Sequence, residues 1–252
     1  MTPTGSRCFV LIEDEALGER LSGRRHVQAI DECIARAVQL PVGDWTPAGI
    51  EGQMTYGIGL LVLRGLLARR VELDGRFGAE LLGAGDLLRP WQDEDLQSTL
   101  PHVGGWRILQ ECRVAILDGS FARRVAPYPE VTSALFARAV RRARQLAVAM
   151  AIMHQPRVEV RLELLLWELA DRWGTVHRDG VHVPVRLTHA MLAELIGARR
   201  PTVSKAVSEL GEEGRLRWTG EHWLLAGDPP SPWEPPATAS ATLARNASAV
   251  QE

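Results

Sequence analysis

The chain has 252 residues, 46% of them hydrophobic and 24% charged, an ordinary globular composition with room for two cores. Its net charge of −2 excludes attraction to nucleic acid through overall charge, so any such binding must rest on a local basic surface. Cys8, Cys33 and Cys112 are too far apart for a Cys-x-x-Cys metal or redox motif. Their odd number does not suit a disulfide framework, and they are expected as reduced, partly buried thiols. No basic-then-apolar leader opens the first thirty residues and no apolar run is long enough to span a bilayer, which sets the expectation of a cytoplasmic protein with no membrane partner.

In chain order, residues 1–50 carry mixed signals: a helix from about residue 23 leads into a strand near residues 36–40, followed by a turn at Pro41-Val42-Gly43-Asp44. From Thr55 come apolar runs punctuated by glycine, GIGLLVLRG, LLARRVELDG and RFGAELLGAGD, which predict three strands, with Asp74-Gly75 a two-residue hairpin signal. Residues 107–118, RILQECRVAILD, add a strand with Cys112, Val114 and Ile116 on one side. So many short strands suit a small antiparallel barrel over residues 1–128.

An uninterrupted helical stretch follows over residues 129–155, ended by Pro156. Its stripe of Leu135, Ala139, Leu146, Met150 and Met153 suits a two-helix seam, and so long a helix between domains favours a second copy of the chain over packing on its own barrel. Arg138, Arg141, Arg142 and Arg144 are expected as the solvated flank of that helix. In residues 157–173, Leu162, Leu165, Leu166, Leu169 and Trp173 share one face of another amphipathic helix. Alternation around Asp179-Gly180 predicts a small hairpin before Thr188.

Residues 187–210, LTHAMLAELIGARRPTVSKAVSEL, read as two short helices broken at Gly197. Leu192, Leu195 and Ile196 recur at helical spacing in the first, and Thr188 can cap its start. In the second, Val203, Ala206, Val207 and Leu210 fall on one face and Ser204, Lys205 and Ser208 on the other, with Pro201 in the first turn. Lys205 is the only lysine of the chain. Residues 214–227, GRLRWTGEHWLLAG, add two short strands around Thr219-Gly220-Glu221, a wing. Residues 228–252, rich in Pro, Ala and Ser, are expected as a disordered tail.

Thr188, Gly197, Arg200, Thr202-Val203 and Leu210 stand at the spacing of the recognition motif in the Crp-Fnr family of bacterial transcription regulators, and the chain resembles that family over most of its length, most specifically in the last third. The resemblance implies an α+β chain: an N-terminal double-stranded β-helix, or jelly-roll, over 1–128, a dimerisation helix over 129–155, and a winged helix-turn-helix over 156–227. It also implies a homodimer on an inverted-repeat operator, with double-stranded DNA as partner and RNA polymerase as a further one. Arg199, Arg200, Ser204 and Lys205 are then the candidate base readers, and Thr188, His189, Thr202 and Ser208 the candidate phosphate contacts. In members that respond to cyclic AMP a Glu follows the Arg and an Arg stands where Lys205 stands; Pro201 in place of the acidic residue implies a different operator.

Members that bind cyclic AMP follow a Gly-Asp turn with Gly-Glu-Leu and later with an Arg pair. Here Gly85-Asp86 is followed by Arg89-Pro90-Trp91, and Leu100-Pro101 stand near the Arg position, so the phosphate cradle is missing. Phe77-Gly78-Ala79-Glu80-Leu81 reads as a strand, not as the motif displaced. Cys8 alone cannot hold an iron-sulfur cluster, and His26, His102 and Cys112 are haem ligands only by residue type. No cofactor or metal is therefore expected, and the effector is left open. His154 and His177 stand alone and no His-x-x-x-His arrangement occurs, so an enzyme is not expected. The rival reading is a protein-interaction adaptor that keeps the regulator fold without specific DNA binding.

Overall fold

The structure, a computed structural model, describes residues 5–48, 50, 54, 56–90 and 103–230. Its first part runs β1 (Ser6–Phe9), α1 (Val10–Glu13), α2 (Gly23–Glu32), β2 (Ile34–Leu40), β3 (Gly43–Trp45), β4 (Gly59–Leu73), β5 (Arg76–Gly83), β6 (Leu87–Leu88), β7 (Val103–Leu117) and α3 (Gly119–Val125). The second part runs α4 (Pro129–Met153), α5 (Val158–Trp173), β8 (Thr175–His177), β9 (Gly180–Val183), α6 (His189–Leu195), α7 (Arg200–Glu212), β10 (Leu216–Trp218) and β11 (Trp223–Leu225). The tail segment 231–252 and residues 91–102, which include His102 and Leu100-Pro101, lie outside the described residues.

The seven strands of the first part form one antiparallel sheet in the order β1-β2-β7-β4-β5, with β3 paired to β7 and β6 to β4. Leu60 and Val62 of β4 face one core together with Cys112, Val114 and Ile116 of β7, while Leu61, Ala115 and Leu117 face a second core built with α1, α2 and α3. Both faces of these strands are covered, which is why the runs are continuously apolar instead of alternating. Phe77–Leu81 lies in β5, as the sequence reads, and Leu73 pairs with Arg76 across a two-residue turn in which Asp74 and Gly75 both have positive φ.

The first two apolar runs are one strand of fifteen residues, not two. Gly65 marks a bulge within it, where the register to β7 shifts between Val62 and Leu67. At φ +97° a Cβ there would stand 2.3 Å from the Glu111 carbonyl oxygen, so only glycine fits. Glycine that looks like a strand end in sequence is here the means of keeping a strand going.

Helix α4 ends at Met153, and one member of its predicted stripe lies elsewhere than expected. Leu135 is only 2% exposed and packs into the first part's own core, and Ile152 is also buried. Phe136 and Met150, by contrast, are 70% and 57% exposed. Of the stripe read from sequence only Leu135 is turned inward; Ala139, Leu146, Met150 and Met153 are exposed, and Phe136, Val140, Ala143 and Ala147 are exposed beside them. The flank arginines also need correcting. Arg138 pairs with Asp14 at 2.9 Å, and Arg142 grips Glu80 of β5 through two bonds of 2.5 and 2.7 Å. Only Arg141 and Arg144 are exposed as expected.

Helix α5 puts Leu162, Leu165, Leu166 and Leu169 under the two following helices, and the same cluster takes in Leu66, Ala68 and Leu81 of β4 and β5. The C-terminal core is thus continuous with the sheet of the first part. Arg70 of β4 reinforces the contact with two 2.7 Å bonds to Glu194 of α6. Asp86, in the turn after β5, accepts from the Gly83 amide and from Arg172 of α5 at 2.6 Å. Burial pushes the Asp86 carboxyl above the usual carboxylate range, and Arg172 pulls it back only in part.

Candidate nucleic-acid interface

The site grows from one tight turn. The Thr188 hydroxyl caps α6 by accepting from the Met191 amide at 3.2 Å, which satisfies one of the amides a helix start leaves bare. Gly197 follows the helix at φ +62°, and the Ala198 amide donates to the Ala193 carbonyl at 2.9 Å, the closing bond of a glycine-ended helix. The chain then turns through Arg199, extended at φ −87° and ψ 141°, into α7 with Pro201 in its first turn.

Val203, Ala206 and Leu210 fix α7 on the core. Arg199, Arg200, Thr202, Lys205 and Ser208 are exposed around its outer side, and Thr188 is exposed beside them. Lys205 stands 3.3 Å from Glu209, one turn on, with 76% of its side chain exposed. Such a surface pair is worth roughly 0 to 1 kcal/mol, so the ammonium keeps its availability to a partner.

Two of the eight candidates are held differently from the rest. Ser204 is half-buried, donates its hydroxyl hydrogen to the Arg200 carbonyl at 3.1 Å, and lies 2.9 Å from His189 Nδ1. A hydroxyl has one hydrogen, so Nδ1 must be the donor in that contact. The pair clamps α6 to α7 and occupies the Nδ1 side of the His189 ring. Ser208 in turn donates to the Ser204 carbonyl at 3.2 Å. The two hydroxyl-to-carbonyl bonds lie within α7, whereas the His189–Ser204 contact depends on the crossing of two helices, which residue type alone does not reveal.

The wing is the edge of a second, four-stranded sheet in the order β10-β11-β9-β8. Thr219 shapes its turn, donating its amide to the His222 carbonyl and accepting at Oγ1 from the His222 amide. Arg217 on β10 is exposed between buried Leu216 and half-exposed Trp218, a cation the sequence reading passed over although the in-out alternation could have flagged it. His177 does not stand alone: its ring stacks on His182 at 4.0 Å, and His182 stacks on His222 at the same distance. Among the described residues no group of His, Cys, Asp or Glu side chains is placed to hold a metal ion. No helix among them is long and apolar enough to cross a membrane.

Residues 160–229 match the family described as the Crp-like helix-turn-helix domain. The chain is 29% identical over 127 residues to a CRP-like cAMP-activated global transcriptional regulator of Mycobacterium tuberculosis, a match spanning 50% of this chain and 57% of that protein, little more than half its length. In fold it is similar to FixK2 from Bradyrhizobium japonicum, with a TM-score of 0.55 at 18% identity over 77% of this chain and 93% of that one. It is likewise similar to a CooA mutant from Carboxydothermus hydrogenoformans, with a TM-score of 0.57 at 16% identity over 82% and 88%. The chain therefore has the fold of these solved structures, a strand-rich first part followed by a long helix and a helix-turn-helix part. More particularly, residues 160–229 are similar to the Crp-like helix-turn-helix domain.

Proposed function

We propose that the chain is a sequence-specific DNA-binding transcription regulator of the Crp-Fnr type, working in the cytoplasm as a homodimer on an inverted-repeat operator. The observation that carries the reading is the outer side of α7, where Arg199, Arg200 and Lys205 are exposed on a helix whose inner side is fixed by Val203, Ala206 and Leu210. A helix so held can lie in a major groove and offer Arg200 as a two-pronged donor to guanine, with Thr188 and Thr202 on phosphate oxygens. In this reading residues 1–128 are the sensor-like unit, 129–155 the dimerisation helix and 156–227 the DNA-binding unit. The dimer is supported by the exposed stripe Phe136, Val140, Ala143, Ala147 and Met150, whose 4-3-4-3 spacing is that of a coiled-coil seam. The M. tuberculosis relative is described as cAMP-activated; Arg89-Pro90-Trp91 in place of the phosphate cradle argues against the same ligand here.

Selection of the full chain on random-sequence duplexes tests the reading. An inverted repeat should emerge with half-sites about 34 Å apart. Arg200→Ala should then lose discrimination at one guanine, while Thr202→Ala weakens all sites about equally at fixed salt. Val140→Glu with Met150→Glu should shift sedimentation to the monomer. No enriched sequence would favour the adaptor instead.

A further inference from the structure

A cavity of about 660 Å³ opens between the turn after β5, α4 and α5, with Pro229 and Pro230 at its rim. Its volume is that of a small-molecule site, and neither Arg89 nor Pro90, the described residues standing in place of the cyclic-nucleotide cradle, is among its lining residues. It is also separate from the seam: Arg141, Gln145, Val148 and Ile152 line it from a face of α4 other than that of Val140, Ala147 and Met150.

The lining has two characters. Arg141 and Arg144 are exposed on the α4 wall, and among the described residues neither has a hydrogen-bonded or ion-paired partner. The neighbouring cations are used: Arg138 holds Asp14, and Arg172 holds Asp86 while lying 4.0 Å over the Trp173 ring. Below the guanidinium groups of Arg141 and Arg144 the surface turns apolar, with Val148, Ile152, Leu164 and Trp167. Val148 is 45% exposed there, a β-branched side chain left facing an open space. The far wall carries carboxyl groups as well, Asp86, Glu168 and the exposed Asp171, and burial pushes that of Glu168 upward.

We propose that this cavity binds a small organic anion with a flat apolar body, an aromatic carboxylate, whose carboxylate is taken by Arg141 and Arg144 and whose ring lies against Val148, Ile152 and Trp167. Guanidinium forks suit carboxylate, and flat apolar area suits the indole and aliphatic wall. The occupant touches the β5 turn, the long helix and the helix beneath the helix-turn-helix at once, so it supplies the regulator of the preceding section with its input. That consequence rests on the DNA-binding reading; the binding itself does not.

Calorimetry of the full chain with 2-naphthoate, in the absence of DNA, tests the site. One saturable site per chain is expected, with 2-naphthamide, the neutral isostere, at least tenfold weaker. Arg141→Ala with Arg144→Ala should weaken 2-naphthoate at least tenfold while thermal melting stays unchanged, since both side chains are exposed. Arg20→Ala with Arg24→Ala, exposed elsewhere, should leave it as it was. Absence of saturable heat at millimolar 2-naphthoate, equal affinity for the amide, or indifference to the Arg141 and Arg144 changes would each overturn the proposal. A failed operator selection alongside intact 2-naphthoate binding would overturn only the DNA reading.

Discussion

The two ends of this molecule use their polar side chains in opposite ways. Around the first sheet nearly every charged group near the core is consumed by an internal lock: Asp14 by Arg138, Glu80 by Arg142, Asp86 by Arg172, Arg70 by Glu194. On the outer side of α7 the cations are fully presented, and the one ion pair there, Lys205 with Glu209, is largely solvated. A carboxylate or guanidinium with a part-buried partner holds elements together; one standing in water is available to something outside. The difference separates residues that position from residues that meet a partner.

The largest effect concerns the shared core. Leu192 of α6 is fully buried in the cluster that also contains Leu66, Ala68 and Leu81 of the first sheet. Leu192→Ala should cost about 2 to 5 kcal/mol in chemical denaturation, the range for a leucine cavity. Because the cluster is continuous, amides of β5 should lose hydrogen-exchange protection together with those of α7. Protection of β5 left at its wild-type level would show that the two parts fold as separate bodies.

The next effect tests how closed the first sheet is. Burial pushes the thiols of Cys8 and Cys33 up from 9.0 to about 11 and that of Cys112 to about 12. At pH 8 the thiolate fraction of Cys8 and Cys33 then falls about 100-fold below that of a free thiol, and alkylation should slow at least as much until denaturant is added. The unfolded chain releases these protons first, so their contribution to stability falls as pH climbs from about 9 towards 11. Any of the three reacting at a free-thiol rate in the native protein would mean that its wall of the core opens.

How much of this was legible in sequence follows the same division. The helix-turn-helix is written in local spacings: Thr188 as cap, Gly197 as break, Pro201 in a first turn, Val203, Ala206 and Leu210 on one face, and the structure has each in that place. The β5 strand, its Asp74-Gly75 turn and the shared side of Cys112, Val114 and Ile116 were legible for the same reason. What was not legible depends on partners far along the chain. Gly65 looks like a strand end until β7 lies beside it. Leu135 looks like seam and Arg142 like flank until the sheet packs on α4. His177 looks solitary until the register of β8 and β9 sets it on His182. Ser204 looks like a reader until His189 arrives from the preceding helix.

A smaller effect weighs one lock directly. Arg70 and Glu194 keep 31% and 20% of their side chains exposed, so screening reduces what two good bonds contribute, and a double-mutant cycle should give a coupling of about 1 kcal/mol. Arg70→Ala alone should raise exchange in α6 more than in α5, since only α6 loses its tie to β4. A coupling indistinguishable from zero would leave the apolar contact as what holds α6 to β4.

The smallest effect is the counterpart of that lock. Lys205 precedes Glu209 by four residues, the less favourable order for a helical pair, and both side chains are substantially exposed. The pair should therefore contribute about 0.3 kcal/mol, and Glu209→Ala should leave the melting temperature almost unchanged. Its effect should appear against DNA instead. Removing a carboxylate beside the ammonium relieves repulsion from the duplex, so Glu209→Ala should tighten binding to the selected operator, and more at 50 mM than at 200 mM salt because exposed charges are screened. Lys205→Ala should weaken it over the same salt range with the same indifference in melting. Should Glu209→Ala instead cost more than about 1 kcal/mol of stability and leave DNA affinity alone, Lys205 belongs with the internal locks. The division between holding and meeting would then fail at the helix where it is drawn most sharply.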